Sequence, residues 1–167
     1  MRTFVLQRDQ WIPSPVEEVF AFFADAKNLE TITPPWPGFR ILSAEPITMH
    51  AGTDLVYRLR WHCLPLRWVT EIAEWVPPFR FVDVQRRGPY ARWHHTHEFE
   101  PPEGGTRMRD LLRYTLPLGR LGHLMHSLIV RRDLEAIFDY RARRVEQIFR
   151  TAPTRIGWTQ GAKELLQ

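Results

Sequence analysis

The chain of 167 residues is poor in cysteine and lysine. Cys63 is the only thiol, and Lys27 and Lys163 are the only lysines among 23 basic residues. A single cysteine cannot form an internal disulfide, which excludes the class of small secreted domains held together by disulfides. We find no charged-then-apolar leader before the first alternating residues and expect a cytoplasmic protein. A chain of this length buries roughly two-thirds of its unfolded surface, so its stability requires neither a disulfide nor a metal.

Long hydrophobic runs are also absent from the sequence. The most apolar piece, LPLGRLGHLMHSLIV, is interrupted by Arg120, His123 and His126, and no run approaches the roughly 18 to 20 apolar residues of a membrane-spanning helix. The net charge is +4 and the pI is about 9.7, but the basic residues are scattered. A phosphate-binding surface would cluster them, so we expect no nucleic-acid partner.

The N-terminal part predicts one strand followed by two short helices. Residues 3–11 alternate between polar and apolar, as a strand does. The first helix has Ser14 as its N-cap and Pro15 at its first helical position. The second begins at Asp25 as N-cap and ends before the prolines of TPPWPG.

The hydrophobic period then changes from helical to two. Six further strands are predicted at 39–47, 53–62, 66–75, 79–87, 91–100 and 106–116. Their short connections favour an antiparallel meander, because a parallel neighbour needs a crossover of about a dozen residues or more. The helical period returns after LPLG and predicts one long helix from Leu121 to about residue 150.

These elements predict an α+β fold, in which a curved antiparallel sheet of about seven strands wraps around the long C-terminal helix. We expect a single ligand-binding domain over residues 1–150. Residues 151–167 lack a sustained pattern and are predicted to form a peripheral tail.

The stretch WHHTHEFE, residues 93–100, has the period of a strand and places two histidines on the side that should face the core. Burying an unpaired polar group costs about 1–3 kcal/mol, so the number of inward polar groups favours a pocket. A satisfied polar cluster in a packed core is the alternative. The predicted ligand-binding residues are Tyr57, Trp61, Trp68, Gln85, Trp93, His95, His97, Asp110 and Tyr114.

The hairpin between the last two strands predicts specific neighbours. If EPPEGG is its loop, Phe99 pairs with Thr106 and His95 faces Asp110, whereas a tighter turn at Gly104 and Gly105 would shift the register and break that pairing. Cross-strand neighbours lie about 5 Å apart at Cβ, close enough for a hydrogen bond between imidazole and carboxylate. Asp110 would then raise the pKa of His95 and leave its far nitrogen facing the cavity.

The inward histidines could have one of two chemical roles, metal binding or acid-base catalysis. His95 and His97 have a spacing that can hold zinc if a third ligand such as Asp110 or His62 converges. No third ligand is recognisable in the sequence, so we expect no metal and no other cofactor. Alternatively, His95 and Asp110 are catalytic residues in acid-base chemistry on an aldol-type or dehydration substrate. The sequence has no Ser or Cys nucleophile signature, no phosphate-binding glycine loop and no Rossmann fingerprint.

Several stretches between residues 3 and 150 resemble a known superfamily. They include IPSPVEEVFAFFAD, AGTDLVYRLR, WVPPFRFVDVQRRGPYARWHHTHEFE, GGTRMRDLLRYTLP and RRDLEAIFDYR. They are similar to bacterial members of the SRPBCC superfamily, the START and birch-pollen-allergen-like helix-grip fold, on its polyketide cyclase and coenzyme-Q-binding branch. The resemblance implies a hydrophobic cavity between the sheet and the long helix, for ligands such as lipids, quinones or polyketides. It also implies possible association with epimerase-like proteins, and it transfers no catalytic residue.

Three hypotheses follow from these observations. The first is a non-enzymatic protein that binds or carries a flat, mostly apolar metabolite. The second is a cyclase or dehydratase in which His95, oriented by Asp110, is the general acid or base. The third is that the amphipathic segment from Leu121 to Val130 contacts a membrane transiently to collect ligand.

Overall fold

Seven strands form one antiparallel sheet, and a long helix packs against its inner face. The computed structural model describes residues 2–151. The strands are β1 (Thr3–Ile12), β2 (Arg40–Ile41), β3 (Asp54–Trp61), β4 (Leu64–Val76), β5 (Arg80–Arg87), β6 (Arg92–Glu100) and β7 (Thr106–Thr115). The helices are α1 (Val16–Ala24), α2 (Ala26–Ile32), α3 (Gly119–Met125), a π-helical turn (His126–Val130) and α4 (Arg131–Thr151). The predicted α+β helix-grip fold is therefore confirmed.

The sheet order is β1-β7-β6-β5-β4-β3-β2, so the strands after the first follow one another as a meander. β1 closes the order by pairing with β7 along its whole length, from Thr3 opposite Thr115 to Ile12 opposite Thr106. Register shifts interrupt the pairing of β4 with β5 at two places, after Val69 and after Ile72. Such bulges bend a strand and increase its twist, which curls this sheet around the helix.

Two local predictions near the N-terminus are wrong. The predicted strand 39–47 is reduced to Arg40–Ile41, because the Ser43 side chain accepts the Val56 amide at 2.8 Å and so replaces the ladder at that point. Ser14 is not the N-cap of α1. Pro15 occupies that position with an extended ψ of 149°, and no side chain caps the helix. The second predicted cap is confirmed, since the Asp25 side chain accepts the Lys27 amide.

The register of the β6–β7 hairpin differs from the prediction by two residues. Phe99 lies opposite Met108, and Asp110 lies opposite His97 rather than His95. The cause is the position of the turn, in which the Gly105 amide donates to the Pro102 carbonyl and Gly104 has a φ of +84°. A positive φ at the third residue of a β-turn suits glycine and centres this hairpin between residues 103 and 104. A shift of two preserves the face on which every side chain lies.

The long C-terminal helix is confirmed. α3, the π-helical turn and α4 follow one another without a break from Gly119 to Thr151. Of the predicted tail, residues 152–167 lie outside the described residues. Within residues 2–151, no helix is both long and apolar enough to cross a membrane.

One end of the space between sheet and helix is filled. A cluster of aromatic and aliphatic side chains from α1, the sheet and the second half of α4 packs there, formed by Ile12, Val16, Val19, Phe20, Ala24, Ile32, Phe81, Phe99, Met108, Val145 and Phe149. We call this group the closed end. Phe20 fills its centre and packs edge-on against Phe81 and Phe99, with centroids 6.1 and 5.5 Å away.

Candidate functional site

A cavity of about 460 Å³ occupies the other end of that space, which we call the open end. Its walls are the inner faces of β3, β4 and β6 and the first half of α4, and they include Tyr57, Leu59, Trp61, Leu66, Trp68, Trp93, Leu134, Ile137 and Phe138. Further lining comes from Pro37, Phe39, Pro89 and Tyr90, and from α3 through Leu121, Gly122 and Met125. This size falls within the range of about 300–1,000 Å³ that is usual for small-molecule sites.

The aromatic walls are held by contacts with one another. Trp68 stands perpendicular to Trp93 at a centroid distance of 5.0 Å, and Tyr90 lies 4.8 Å from Trp93. Tyr57 donates or accepts a 2.6 Å hydrogen bond with Thr70, and its burial raises the pKa of its phenol. These wall groups are therefore neutral and largely fixed in place.

The structure divides the nine predicted ligand-binding residues into three groups. Tyr57, Trp61, Trp68, Trp93 and His95 line the large cavity. His97 lines a smaller cavity of about 110 Å³ beneath it, which His95, Tyr57 and Trp93 also border. The remaining three, Asp110, Tyr114 and Gln85, line neither of these two cavities.

Those last three residues lie behind the cavity walls. Tyr114 is buried 5.6 Å from the ring of Tyr90, and its burial raises its pKa to about 12. The Gln85 amide donates to the Tyr90 carbonyl at 2.7 Å and accepts the Tyr90 amide at 3.2 Å. Asp110 is buried beside both histidines. Each can act on a ligand only through the residue that it holds.

Two carboxylates and two imidazoles form a buried charged cluster beneath the large cavity. Asp110 Oδ1 lies 3.1 Å from His95 Nε2 and 2.8 Å from His97 Nδ1, although the His97 ring is not aligned for a hydrogen bond there. Asp83 Oδ2 lies 3.1 Å from His97 Nε2 and 3.4 Å from His95 Nδ1. All four imidazole nitrogens therefore face a carboxylate, and we call Asp83, His95, His97 and Asp110 the His–Asp cluster.

The cluster holds both carboxyl groups ionised. Burial alone would raise the pKa of Asp83 and of Asp110, but hydrogen bonds and positive charge from the two histidines hold both well below their usual range. Burial alone would lower the pKa of His95, but its hydrogen bonds to Asp110 and Asp83 raise it to about 9. The predicted rise in the pKa of His95 is confirmed. The far nitrogen, Nδ1, lies 3.4 Å from Asp83 Oδ2 of the neighbouring strand, and both residues border the smaller cavity.

Three residues of the site are missing from the sequence-based set. Asp83 faces inward on β5, as its parity indicates, but its two histidine partners are visible only in the pairing of β5 with β6. Asp133 and Arg141 line the large cavity from α4. Both follow an apolar residue of the helix stripe by three positions, Val130 and Phe138 respectively. A charge at such a stripe position is the signal that would have found them.

Asp133 also joins the sheet to the helix. Its Oδ2 accepts the Trp61 indole N–H at 2.7 Å and lies 3.1 Å from His62 Nε2. His62, one of the two predicted third metal ligands, is thus at the surface beside Asp133. The group with a metal-like arrangement is instead Asp83, His95 and His97, which can offer ligand atoms within 4.8 Å of one another.

Comparisons with known proteins agree with this architecture. The model of a family described as polyketide cyclase/dehydrase and lipid transport matches residues 12–139. TTHA0849 from Thermus thermophilus is 23% identical with a TM-score of 0.58, over 85% of this chain and 97% of that one. The Zhui aromatase/cyclase from Streptomyces sp. R1128 is 14% identical with a TM-score of 0.66, over 92% of this chain and 100% of that one.

A further solved structure has the same fold. Ara h 8.0201 is 14% identical with a TM-score of 0.58, over 86% of this chain and 98% of that one. No curated protein matches the sequence. At these identities the solved structures establish the fold and leave the ligand open.

Proposed function

The chain belongs to the polyketide cyclase/dehydrase and lipid transport family, and from that premise we propose that it binds and carries a flat, hydrophobic small molecule at its open end. The family supports hydrophobic ligand binding or cyclisation as the general function. The observation that favours binding is the cavity itself, about 460 Å³ in volume with walls of tryptophan, tyrosine and leucine. Planar walls of this kind favour an aromatic ligand such as a quinone or a cyclised polyketide over a flexible acyl chain.

A few polar groups in the wall would orient the ligand. The Trp68 indole N–H and the Arg141 Nε–H are buried and have no acceptor among residues 2–151. A buried donor without a partner is costly, so each gains from a ligand carbonyl or hydroxyl. We propose that Tyr57, Trp61, Trp68 and Trp93 contact the ligand, that His95 borders it, and that His97, Asp110, Tyr114 and Gln85 support these residues from behind.

A substitution that fills the large cavity tests this proposal. Ile137 lines the cavity from α4, whereas its neighbour Ala136 is exposed. Ile137→Trp should fill the space and abolish binding of anthraquinone, measured by quenching of tryptophan fluorescence, while Ala136→Trp should bind like the wild type. Native mass spectrometry of the purified wild type should show one small molecule per chain. Equal anthraquinone binding by both variants would contradict a ligand site at the open end.

A cyclase or dehydratase is the second candidate. It is favoured by the family description and by the buried His95–Asp110 pair at 3.1 Å. With a pKa of about 9 and both nitrogens facing carboxylates, His95 has no free lone pair at neutral pH. A general-base role would therefore require the His–Asp cluster to open. His95→Gln should abolish conversion of a polyketide thioester and keep its binding, whereas an equal loss of both would assign His95 to binding alone.

Exposed leucines beside the cavity suit contact with a membrane. Leu118 precedes α3, Leu121 and Leu124 lie on α3, and Leu128 lies in the π-helical turn; each is more than half exposed, and the first two also line the cavity. We propose that this segment touches a bilayer when ligand is collected. Flotation with anionic liposomes should carry the wild type upward and leave Leu121→Glu behind, and an unfloated wild type would remove the proposal. The cytoplasmic location and an epimerase-like partner stay predictions.

A further inference from the structure

We propose that Asp83, His95 and His97 bind one divalent first-row transition-metal ion, with Asp110 facing both histidines from the opposite side and holding the His95 ring by a hydrogen bond. Of the three proposed ligands, only His95 also lines the large cavity. The site lies at the smaller cavity, where β5 and β6 pair, and it gives the His–Asp cluster a function beyond packing.

The spacing of the three ligand atoms fits such an ion. Asp83 Oδ2 lies 3.4 Å from His95 Nδ1 and 3.1 Å from His97 Nε2. Metal–ligand bonds of about 2.1 Å in a tetrahedron place neighbouring ligand atoms about 3.4 Å apart. Two of the three separations thus already match. The third separation, between the two histidine nitrogens, lies within 4.8 Å, and binding requires these nitrogens to come to about 3.4 Å.

Asp110 occupies the position of an outer carboxylate. Its Oδ1 faces His95 Nε2 at 3.1 Å and His97 Nδ1 at 2.8 Å, which are the two nitrogens that Asp83 does not face. Histidine ligands usually donate their second ring N–H to a carboxylate or carbonyl, which fixes the ring and increases its basicity. Asp110 holds the His95 ring in this way through the 3.1 Å hydrogen bond, and it lies beside His97 Nδ1 as a charge without an aligned hydrogen bond, so the second nitrogen of each ring faces Asp83.

The smaller cavity leaves room for a fourth ligand. It has a volume of about 110 Å³ and is bordered by Asp83, His95 and His97, with Thr70 and Tyr57 nearby. Asp110 does not border it. The three proposed ligands therefore face a space that can hold a water molecule or a substrate atom, as in sites with three protein ligands and an open position.

The donor set of the cluster indicates which ions it suits, since it offers one carboxylate oxygen and two imidazole nitrogens. Two nitrogen ligands favour zinc, cobalt or iron over calcium and magnesium, which prefer oxygen ligands.

Binding of Zn²⁺ and Co²⁺ to untagged, chelator-treated protein tests the site. We expect one equivalent of Zn²⁺ by calorimetry, and visible bands typical of four- or five-coordinate Co²⁺. Binding should release protons, measured in two buffers of different ionisation enthalpy, and should weaken as the pH falls because protons compete for the imidazoles. Absence of a stoichiometric Zn²⁺ site on the folded wild type would overturn the proposal and leave the cluster as an ion-pair network.

Matched variants assign the ligands. Asp110→Asn should weaken Zn²⁺ binding about 10- to 100-fold, as loss of an outer carboxylate does, and Asp83→Asn should weaken it further. His94, exposed on the opposite face of β6, provides the control, and His94→Gln should bind Zn²⁺ like the wild type. Circular dichroism checks that each variant is folded. Unchanged Zn²⁺ affinity in folded Asp83→Asn would exclude this ligand set, whereas anthraquinone binding reports separately on the large cavity.

Discussion

The open end and the closed end of the molecule share the same strands but differ in what covers them. Along the inner side of β6, Trp93 borders the large cavity, His95 and His97 form the charged cluster, and Phe99 is only 2% exposed in the solid core. α1 causes the difference, because Phe20 and its neighbours fill the space beneath the second half of α4. The 460 Å³ cavity lies beside the first half of α4, where α2 and α3 border the space through Leu29 and Leu121 and do not fill it.

Side chains that stabilise the fold and side chains that border the ligand site thus follow one another along the single strand β6. At the closed end, aromatic rings of α1 pack against the sheet and against Phe149 of α4. The open end lies between the same helix and the same sheet, but side chains do not fill the space there. A ligand site of this kind therefore depends on side chains that are far from the ligand, and the His–Asp cluster marks the border between the two regions.

The largest effect should follow truncation at the closed end. Phe99 packs against Phe20, Phe23 and Phe81 with centroids 5.5 to 6.0 Å away. Phe99→Ala should lower the free energy of unfolding by about 3–5 kcal/mol, the usual cost of removing a buried ring. Trp93→Ala should cost about half of that or less, because one side of Trp93 already borders a cavity and lacks contacts there. Urea denaturation measures both, and equal losses would mean that the two ends are packed alike.

The His–Asp cluster should make the free energy of unfolding depend on pH. The folded pKa of His95, about 9, is above its usual 6.5. Its stabilising contribution is therefore complete below pH 6.5 and is lost as the pH rises through 9. The shift corresponds to about 3 kcal/mol. The pKa values of Asp83 and Asp110 are lowered, so their contribution is present above pH 3.8 and is lost as the pH falls toward their folded values.

Urea denaturation from pH 6 to 10, in EDTA to remove metal, checks this dependence. The wild type should lose most of its His95 contribution between pH 6.5 and 9. His95→Gln should be less stable at pH 6 and should change little over the same interval. His94→Gln, which alters an exposed neighbour, should follow the wild type. A wild-type profile that is flat across this range would contradict the charged state described for the cluster.

The sequence predicts the faces of the strands better than their partners. Alternation alone places His95 and His97 inward, and both are buried. The partners of these histidines depend on the register of the strands. In the β6–β7 hairpin the register is set by the turn, in which Gly104 has a positive φ. Between β5 and β6 the register places Asp83 opposite His95. The volume of the cavity depends on how far α1 reaches under α4. The reach of α1 is decided by tertiary packing. The sequence therefore predicts that a pocket exists, but it does not predict the volume of the pocket or that the His–Asp cluster lies beneath it.

A moderate effect should come from the Trp68 indole. Trp68→Phe keeps an aromatic ring in the wall and removes an N–H that has no acceptor within residues 2–151. If that N–H donates to the ligand, anthraquinone affinity should fall about tenfold, equivalent to about 1.4 kcal/mol, because one hydrogen bond is lost. The unfolding free energy should change by less than about 1 kcal/mol, since no protein hydrogen bond is broken. Anthracene, which has no acceptor, is the control ligand and should bind both proteins equally.

The smallest effect on ligand binding should follow substitution of Gln85, which lies behind the wall of the large cavity. Gln85 borders neither cavity, but its amide makes both hydrogen bonds to the Tyr90 backbone, at 2.7 and 3.2 Å. Gln85→Leu should therefore loosen Tyr90 and weaken anthraquinone binding about two- to fivefold, by less than about 1 kcal/mol.

A second variant disturbs the same amide without replacing Gln85. Gly88 lies against this amide, and a side chain at Gly88 would collide with Gln85 Oε1, so Gly88→Ala should displace the Gln85 side chain and produce a similar loss of binding. Arg86→Leu, on the exposed side of β5, is the control for fluorescence titration. If Gln85→Leu and Gly88→Ala both bind like this control, the wall at Tyr90 is held by its ring contacts alone, and the open end is more rigid than its backbone hydrogen bonds indicate.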